Sequence, residues 1–211
     1  KVLDALDEYN LSENTLIVFS SDNGGANYIH LSDINKPYRG WKLNHFEGGL
    51  HIPFMAKWPT EIKSGTIFDH PIHQNDIFST FAAAAGASIP NDRIIDGKNI
   101  IPFIKENKPP HETLFWRSGR LQTMMHNKWK MIVDKNQSKT WLFDLSNDPT
   151  ERNNLVDQMS EKVELLEKIL EEHNGQQVEP NFMSVIATPV RIDKHDGEEW
   201  TEDDEYTFWD N

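Results

Sequence analysis

The chain has 211 residues, enough for one full domain or for parts of two, and its 37% hydrophobic content is too high for wholesale disorder. A net charge of −13 argues against nucleic acid and anionic membranes, which attract clustered Lys and Arg. No apolar run is long enough to span a bilayer, and the absence of cysteine excludes disulfides, thiolate metal sites and a cysteine nucleophile within these residues.

The opening residues Lys1–Asp7 predict an amphipathic, acid-containing helix, not a basic segment followed by an apolar one. Thr15–Ser20 is a short β-branched and aromatic run, expected as a buried parallel strand. Ser21-Asp22-Asn23-Gly24-Gly25 follows it, where ligands bind in open α/β sheets. Residues 26–51 carry little regular pattern, and long irregular stretches inside compact domains are usually functional or disordered. Ile52–Pro59 predicts a second strand, and Asn75 or Asp76 is placed to cap a helix that Gly86 ends. From Thr113 the pattern changes to four short strands at Thr113–Arg117, Leu121–Met125, Trp129–Val133 and Trp141–Leu145, an antiparallel meander. An amphipathic helix follows through Met159, Val163, Leu166, Ile169 and Leu170, with Ser160 as its cap and Asn174-Gly175 as its stop. The remaining tail reads as irregular. Acidic groups around Glu161–Glu172 and Glu198–Glu205 read as solvated faces.

Asp22 and Asn23 offer oxygen donors and no nitrogen or sulfur, which suits a hard cation such as Ca²⁺. Calcium takes about six to eight oxygens, so two residues are part of a shell at most. Asp-Asn-Gly-Gly is also good turn chemistry, and that reading stays open. Lys42 could pair with an anionic ester oxygen, with Arg39 as a second candidate. An acidic protein has no overall field that attracts an anion, so a local cation and a metal would have to do it.

Four segments in order carry a resemblance: Thr15–Gly25, Arg39-Gly40-Trp41-Lys42, Glu47–Phe54 and Trp58-Pro59. They resemble the second half of a type I sulfatase, a family within the alkaline phosphatase superfamily. Asn75–Gly86, Asp96-Gly97, Glu112–Arg117, Lys128-Trp129-Lys130 and Leu142–Leu155 are similar to later segments, so the likeness runs colinearly over about residues 1–175. The resemblance implies a C-terminal portion of an alkaline-phosphatase-like α/β sandwich on a mostly parallel sheet over residues 1–105. Residues 106–211 are expected as a small antiparallel sheet subdomain with one packed helix and a tail. It implies Ca²⁺ on Asp22 and Asn23, completed by residues outside this chain. The resemblance gives Lys42 the catalytic, sulfate-contacting role; Arg39, close in sequence, stays a second candidate substrate contact, and a sulfated carbohydrate is the expected substrate. The nucleophile is a formylglycine in a Cys/Ser-x-Pro-x-Arg motif expected upstream, and the location is periplasmic or secreted. The tail, Thr188–Asp193 onward to Trp209, resembles those of bacterial polysaccharide sulfatases.

The chain departs from the family where Asn35-Lys36-Pro37-Tyr38-Arg39 has Asn in place of Cys or Ser and lies after the Asp-Asn loop. It is a decoy on the approach to Lys42. The missing N-terminal part of the same enzyme is the expected partner, and the isolated piece is expected to expose apolar surface and to be inactive. Two alternatives remain. A phosphatase or phosphodiesterase of the same superfamily would hold two zinc ions, and imidazole in place of Asn23 would suit them better. A non-catalytic glycan-binding relative would lack the upstream nucleophile.

Overall fold

Turn residues set the architecture of the second half of the chain. Short β-rich runs alternate there with Gly119, Asn127 and Ser138, all at positive φ, and each turn reverses the strand before it. A computed structural model describes residues 1–178, 181–182 and 184–210. Those residues form two units: Lys1–Ser20 with Pro53–Glu112, and Ser21–Ile52 with Thr113–Asn211.

In the first unit, helix α1 (Val2–Glu8) buries none of its residues. Strand β1 (Ile17–Ser20) pairs with β2 (Phe54–Lys57) in the register Ile17↔Lys57 to Ser20↔Phe54. The pairing is antiparallel, which corrects the expected parallel strand. A short apolar run shows that a strand exists but not the direction of its neighbour. Burial is also less than expected: Phe19 and its partner Met55 are 62% and 58% exposed. Apolar surface is therefore open on this unit, as the sequence led us to expect. Helix α3 (Asn75–Ala84) starts without a side-chain cap, against expectation. The Asp76 carboxylate is used elsewhere: it accepts from the amides of His73 (2.8 Å) and Lys98 (2.7 Å) and bonds His111 Nε2 (2.8 Å). Helix α4 (Ile101–Glu106) has proline in its first turn, where no amide proton is needed. No helix among the described residues is long and apolar enough to cross a membrane.

The second unit is built on four antiparallel strands in sequence order: β3 (Thr113–Ser118), β4 (Leu121–His126), β5 (Trp129–Asp134) and β6 (Lys139–Asp144). Alternation gives the sheet two faces, and both are covered. On one, Met124, Met131 and Leu142 pack against Leu166 and Leu170 of α5 (Ser160–Asn174). On the other, Leu121, Ile132, Trp141 and Phe143 pack against Phe46 and Ile192. Double coverage explains why β4 to β6 read as nearly continuous buried runs. The acidic residues Glu161, Glu164, Glu167, Glu171 and Glu172 of α5 face solvent. Met159 precedes the helix without a side-chain cap, so the expected Ser160 cap is not made, while Gly175 ends it as expected.

The tail is not irregular throughout. Strands β7 (Ala187–Arg191) and β8 (Tyr206–Asp210) pair antiparallel, from Ala187↔Asp210 to Arg191↔Tyr206. The Phe208 amide donates to Asp134 (2.7 Å) and the Arg120 amide to Asp210 (2.7 Å), so β8 is strapped to the four-stranded sheet.

Candidate active-site segment

Residues 21–52 hold a shape by backbone contacts that only glycine permits. Gly24 N donates to Gly49 O (3.0 Å), Gly48 N to Arg39 O (2.7 Å) and Lys42 N to Gly25 O (2.9 Å). A Cβ added to Gly24 would sit 1.8 Å from the Gly48 carbonyl, and one on Gly48 would sit 2.2 Å from that of Gly40. No side chain fits at either point. The Asp22-Asn23-Gly24 loop, the Lys42 turn and α2 (Glu47–Leu50) are thus gathered in one place.

Asp22 is exposed. Asn23 is half-buried; its side-chain amide donates to Gly24 O (3.0 Å), and Ser21 Oγ donates to the Asn23 carbonyl (2.9 Å). The two side chains are acid and amide oxygens on a tight turn, a donor set that fits a hard cation. Among the described residues no group of three or more His, Cys, Asp or Glu is placed to hold a metal ion. Lys42 is half-buried, and its ammonium has no hydrogen-bond or ion-pair partner among the described residues.

Arg39 lies differently. Its guanidinium is buried, and its donors are engaged: Nε with Asp193 (2.9 Å), Nη1 with the Glu151 carbonyl (3.2 Å), and Nη2 with Asp193 and Glu205 (2.5 Å each). Burial disfavours its charged form, but the two carboxylates outweigh that and hold its pKa above the usual value. Arg39 clamps the segment to the tail, and the two carboxylates on its guanidinium make a poor setting for an anion. The Glu205 carboxyl, half-buried, is pulled down to about 2 because Lys139, Arg39 and Trp141 outweigh its desolvation. A depressed carboxyl stabilises the fold above its ordinary pKa of 4.5 and loses that contribution as pH falls toward 2. Glu205→Gln is therefore expected to flatten the fall of unfolding free energy between about pH 4.5 and 2, measured by urea titration at each pH. A slope identical to that of the parent in this window would rule out the assignment.

The underside of the segment is charged and buried. Lys130 of β5 is completely buried, with its ammonium 2.7 Å from Glu47 Oε1 and 2.8 Å from Glu151 Oε1. Glu151 also accepts from the Glu47 amide (2.5 Å). Desolvation would raise the Glu47 carboxyl, but Lys130 and His51 hold it down at about 2. Burial and the neighbouring Glu47 charge push Glu151 upward, against the pull of Lys130. His45 is bonded to Thr123 (2.9 Å) and driven to about 3 by burial and by Lys130, so it is a neutral structural histidine. His51 bonds Glu47 (2.9 Å) and stacks on Tyr38, with ring centres 4.3 Å apart.

The decoy motif is explained as well. Asn35 accepts from the Gly25 amide (2.7 Å) and donates to the Gly25 (2.9 Å) and Gly40 (3.0 Å) carbonyls. It braces the loop, a task suited to an amide that both gives and takes hydrogen bonds. Lys130 and Asp193 stood inside segments that carry the resemblance, but nothing local assigned them a partner, and Glu205 read as part of a solvated acidic face. Glu151 stood inside the signature Leu142–Leu155, which was the available signal.

Fold and segment together define the C-terminal region of a sulfatase, within the alkaline-phosphatase-like fold. Residues 40–178 match the family described as N-sulphoglucosamine sulphohydrolase, C-terminal, and the chain belongs to that family. Among curated proteins it is 39% identical over 127 residues to human steryl-sulfatase, covering 54% of this chain and 21% of that protein. It is 32% identical over 121 residues to human N-acetylgalactosamine-6-sulfatase, covering 56% and 23%. Among solved structures it is similar to Ps i-CgsB in complex with k-i-k-neocarrahexaose, with a TM-score of 0.74 and 30% identity over 86% of this chain and 41% of that one. The chain thus spans about a fifth of these curated relatives and two fifths of that structure.

Proposed function

We propose that this chain is the C-terminal part of a formylglycine-dependent sulfatase that hydrolyses sulfate esters on a carbohydrate. Asp22 and Asn23 supply two oxygen ligands to one calcium ion, and Lys42 contacts the sulfate. The observation that carries this reading is the backbone knot of Gly24, Gly25, Lys42, Gly48 and Gly49. It draws the backbone of the Asp22-Asn23 turn, the Lys42 turn and the Glu47-Gly48-Gly49 turn together. Calcium would supply positive charge to the ester oxygens, and a formylglycine outside this chain would supply the attack on sulfur. Within this chain, Lys42 offers its ammonium to the same oxygens as charge builds on them. Its exemption from internal ion pairs leaves it available, whereas Arg39 is spent on the tail. The names of the relatives support sulfate esters generally, and the carrahexaose bound by Ps i-CgsB supports a sugar.

The test uses the complete enzyme. Metal analysis is expected to find one calcium per chain and no stoichiometric zinc, and Asp22→Ala is expected to weaken calcium binding by more than tenfold in a calorimetric titration, by about 1.4 kcal/mol or more. Two zinc ions with phosphoester turnover would transfer the chain to the phosphatase branch. Sugar binding without turnover of any sulfate ester would make it a glycan-binding relative.

A further inference from the structure

We propose that Lys130 is a positioning residue for the Lys42 segment and acts on it through Glu47. The inference deepens the sulfatase reading, and its activity arm rests on that reading. A fully buried ammonium is costly unless its partners are close and well aligned, so the Lys130 contact to Glu47 at 2.7 Å fixes where Glu47 can lie. Glu151 grips the same residue from its other end, by accepting the Glu47 amide at 2.5 Å while pairing with Lys130 at 2.8 Å. Side chain and backbone of Glu47 are therefore both held. From Glu47 the hold runs on without slack. Gly48 N closes the loop onto Arg39 O, with Lys42 between them in the chain.

Hydrophobic residues of similar volume often replace buried ion groups with no loss of stability. What they cannot replace is direction: a charge-assisted bond fixes the angle and distance of its partner. A β5 lysine aimed at the Glu-Gly-Gly turn is thus suited to register, and register matters where a misplacement of about 1 Å costs roughly 100-fold in rate.

Lys130→Met in the complete enzyme is expected to lower kcat/KM for 4-nitrophenyl sulfate by about 100-fold. In a Lys42→Ala background the same change is expected to add little, because both act through one ammonium. Losses that multiply independently would overturn the proposal, as would full activity of Lys130→Met. Hydrogen exchange on the complete enzyme gives a second reading. The amides of Glu47, Gly48 and Gly49 should lose protection in Lys130→Met while Met131 and Leu142 keep theirs. Loss spreading across the sheet would make Lys130 a general core residue and overturn the proposal. If Lys130→Met does not fold, Glu47→Gln, which keeps the volume and removes the charge, is expected to show the same non-additivity with Lys42→Ala; multiplying losses or parental turnover there would overturn it. Should the parent enzyme cleave no sulfate ester, the proposed function falls, and the exchange experiment alone decides the positioning.

Discussion

Lys42→Ala is expected to lower kcat for sulfate-ester hydrolysis in the complete enzyme by about 100- to 1000-fold, the usual cost of removing one preorganised charge-stabilising donor. The size follows from its surroundings. Lys42 is half-buried, so its charge is less screened than at an open surface, and no carboxylate among the described residues neutralises it. Its backbone is pinned through the Gly25 carbonyl at 2.9 Å, which fixes the point from which the side chain reaches. Lys42→Arg keeps the charge but presents a planar fork in place of a compact ammonium, and should recover part of the rate. Steady-state kinetics on 4-nitrophenyl sulfate would decide, and parental turnover in Lys42→Ala would remove this residue from the site.

Phe46→Ala is expected to destabilise the second unit by about 3–5 kcal/mol, the usual range for emptying a buried aromatic site. Phe46 is fully buried, with its ring edge-on to Trp141 (centroids 5.7 Å apart) and tilted against Phe143 (5.8 Å). The Arg39 guanidinium lies 5.1 Å above the same ring. Phe46 directly precedes Glu47, so it is the plug that seats the segment on the sheet. Guanidinium denaturation followed by the near-ultraviolet dichroism of the buried tryptophans would measure the loss. A change under about 1 kcal/mol would show that the sheet closes over without it.

Much of this fold was legible in the sequence because local chemistry carried it. Asn127 and Ser138 sit at turns where left-handed backbone is required, and the strands between them came out within a residue or two. The Asp22-Asn23, Lys42 and Glu-Gly-Gly pieces were legible as motifs, and the backbone brings them together. What escaped was non-local. Nothing near Lys130 announces carboxylates at positions 47 and 151, and a lysine in a strand ordinarily faces water. The β7–β8 pair was hidden because Pro189 weakens the strand pattern and acidic residues separate the partners. The direction of β1 escaped for a related reason: its partner begins more than thirty residues later, and the run itself carries no sign of orientation.

The seating of residues 21–52 on the four-stranded sheet and on the tail strapped to it bears on how such enzymes can be recombined. Arg39 answers to Asp193 and Glu205, Phe46 to Trp141, and Glu47 to Lys130 and Glu151. A chimaera that grafts the lysine-bearing loop of one homologue onto the C-terminal sheet of another would break these pairings together. The two stretches, distant in the gene, form one block of exchange, and crossover points belong near Ser20, Ile52 and Glu112.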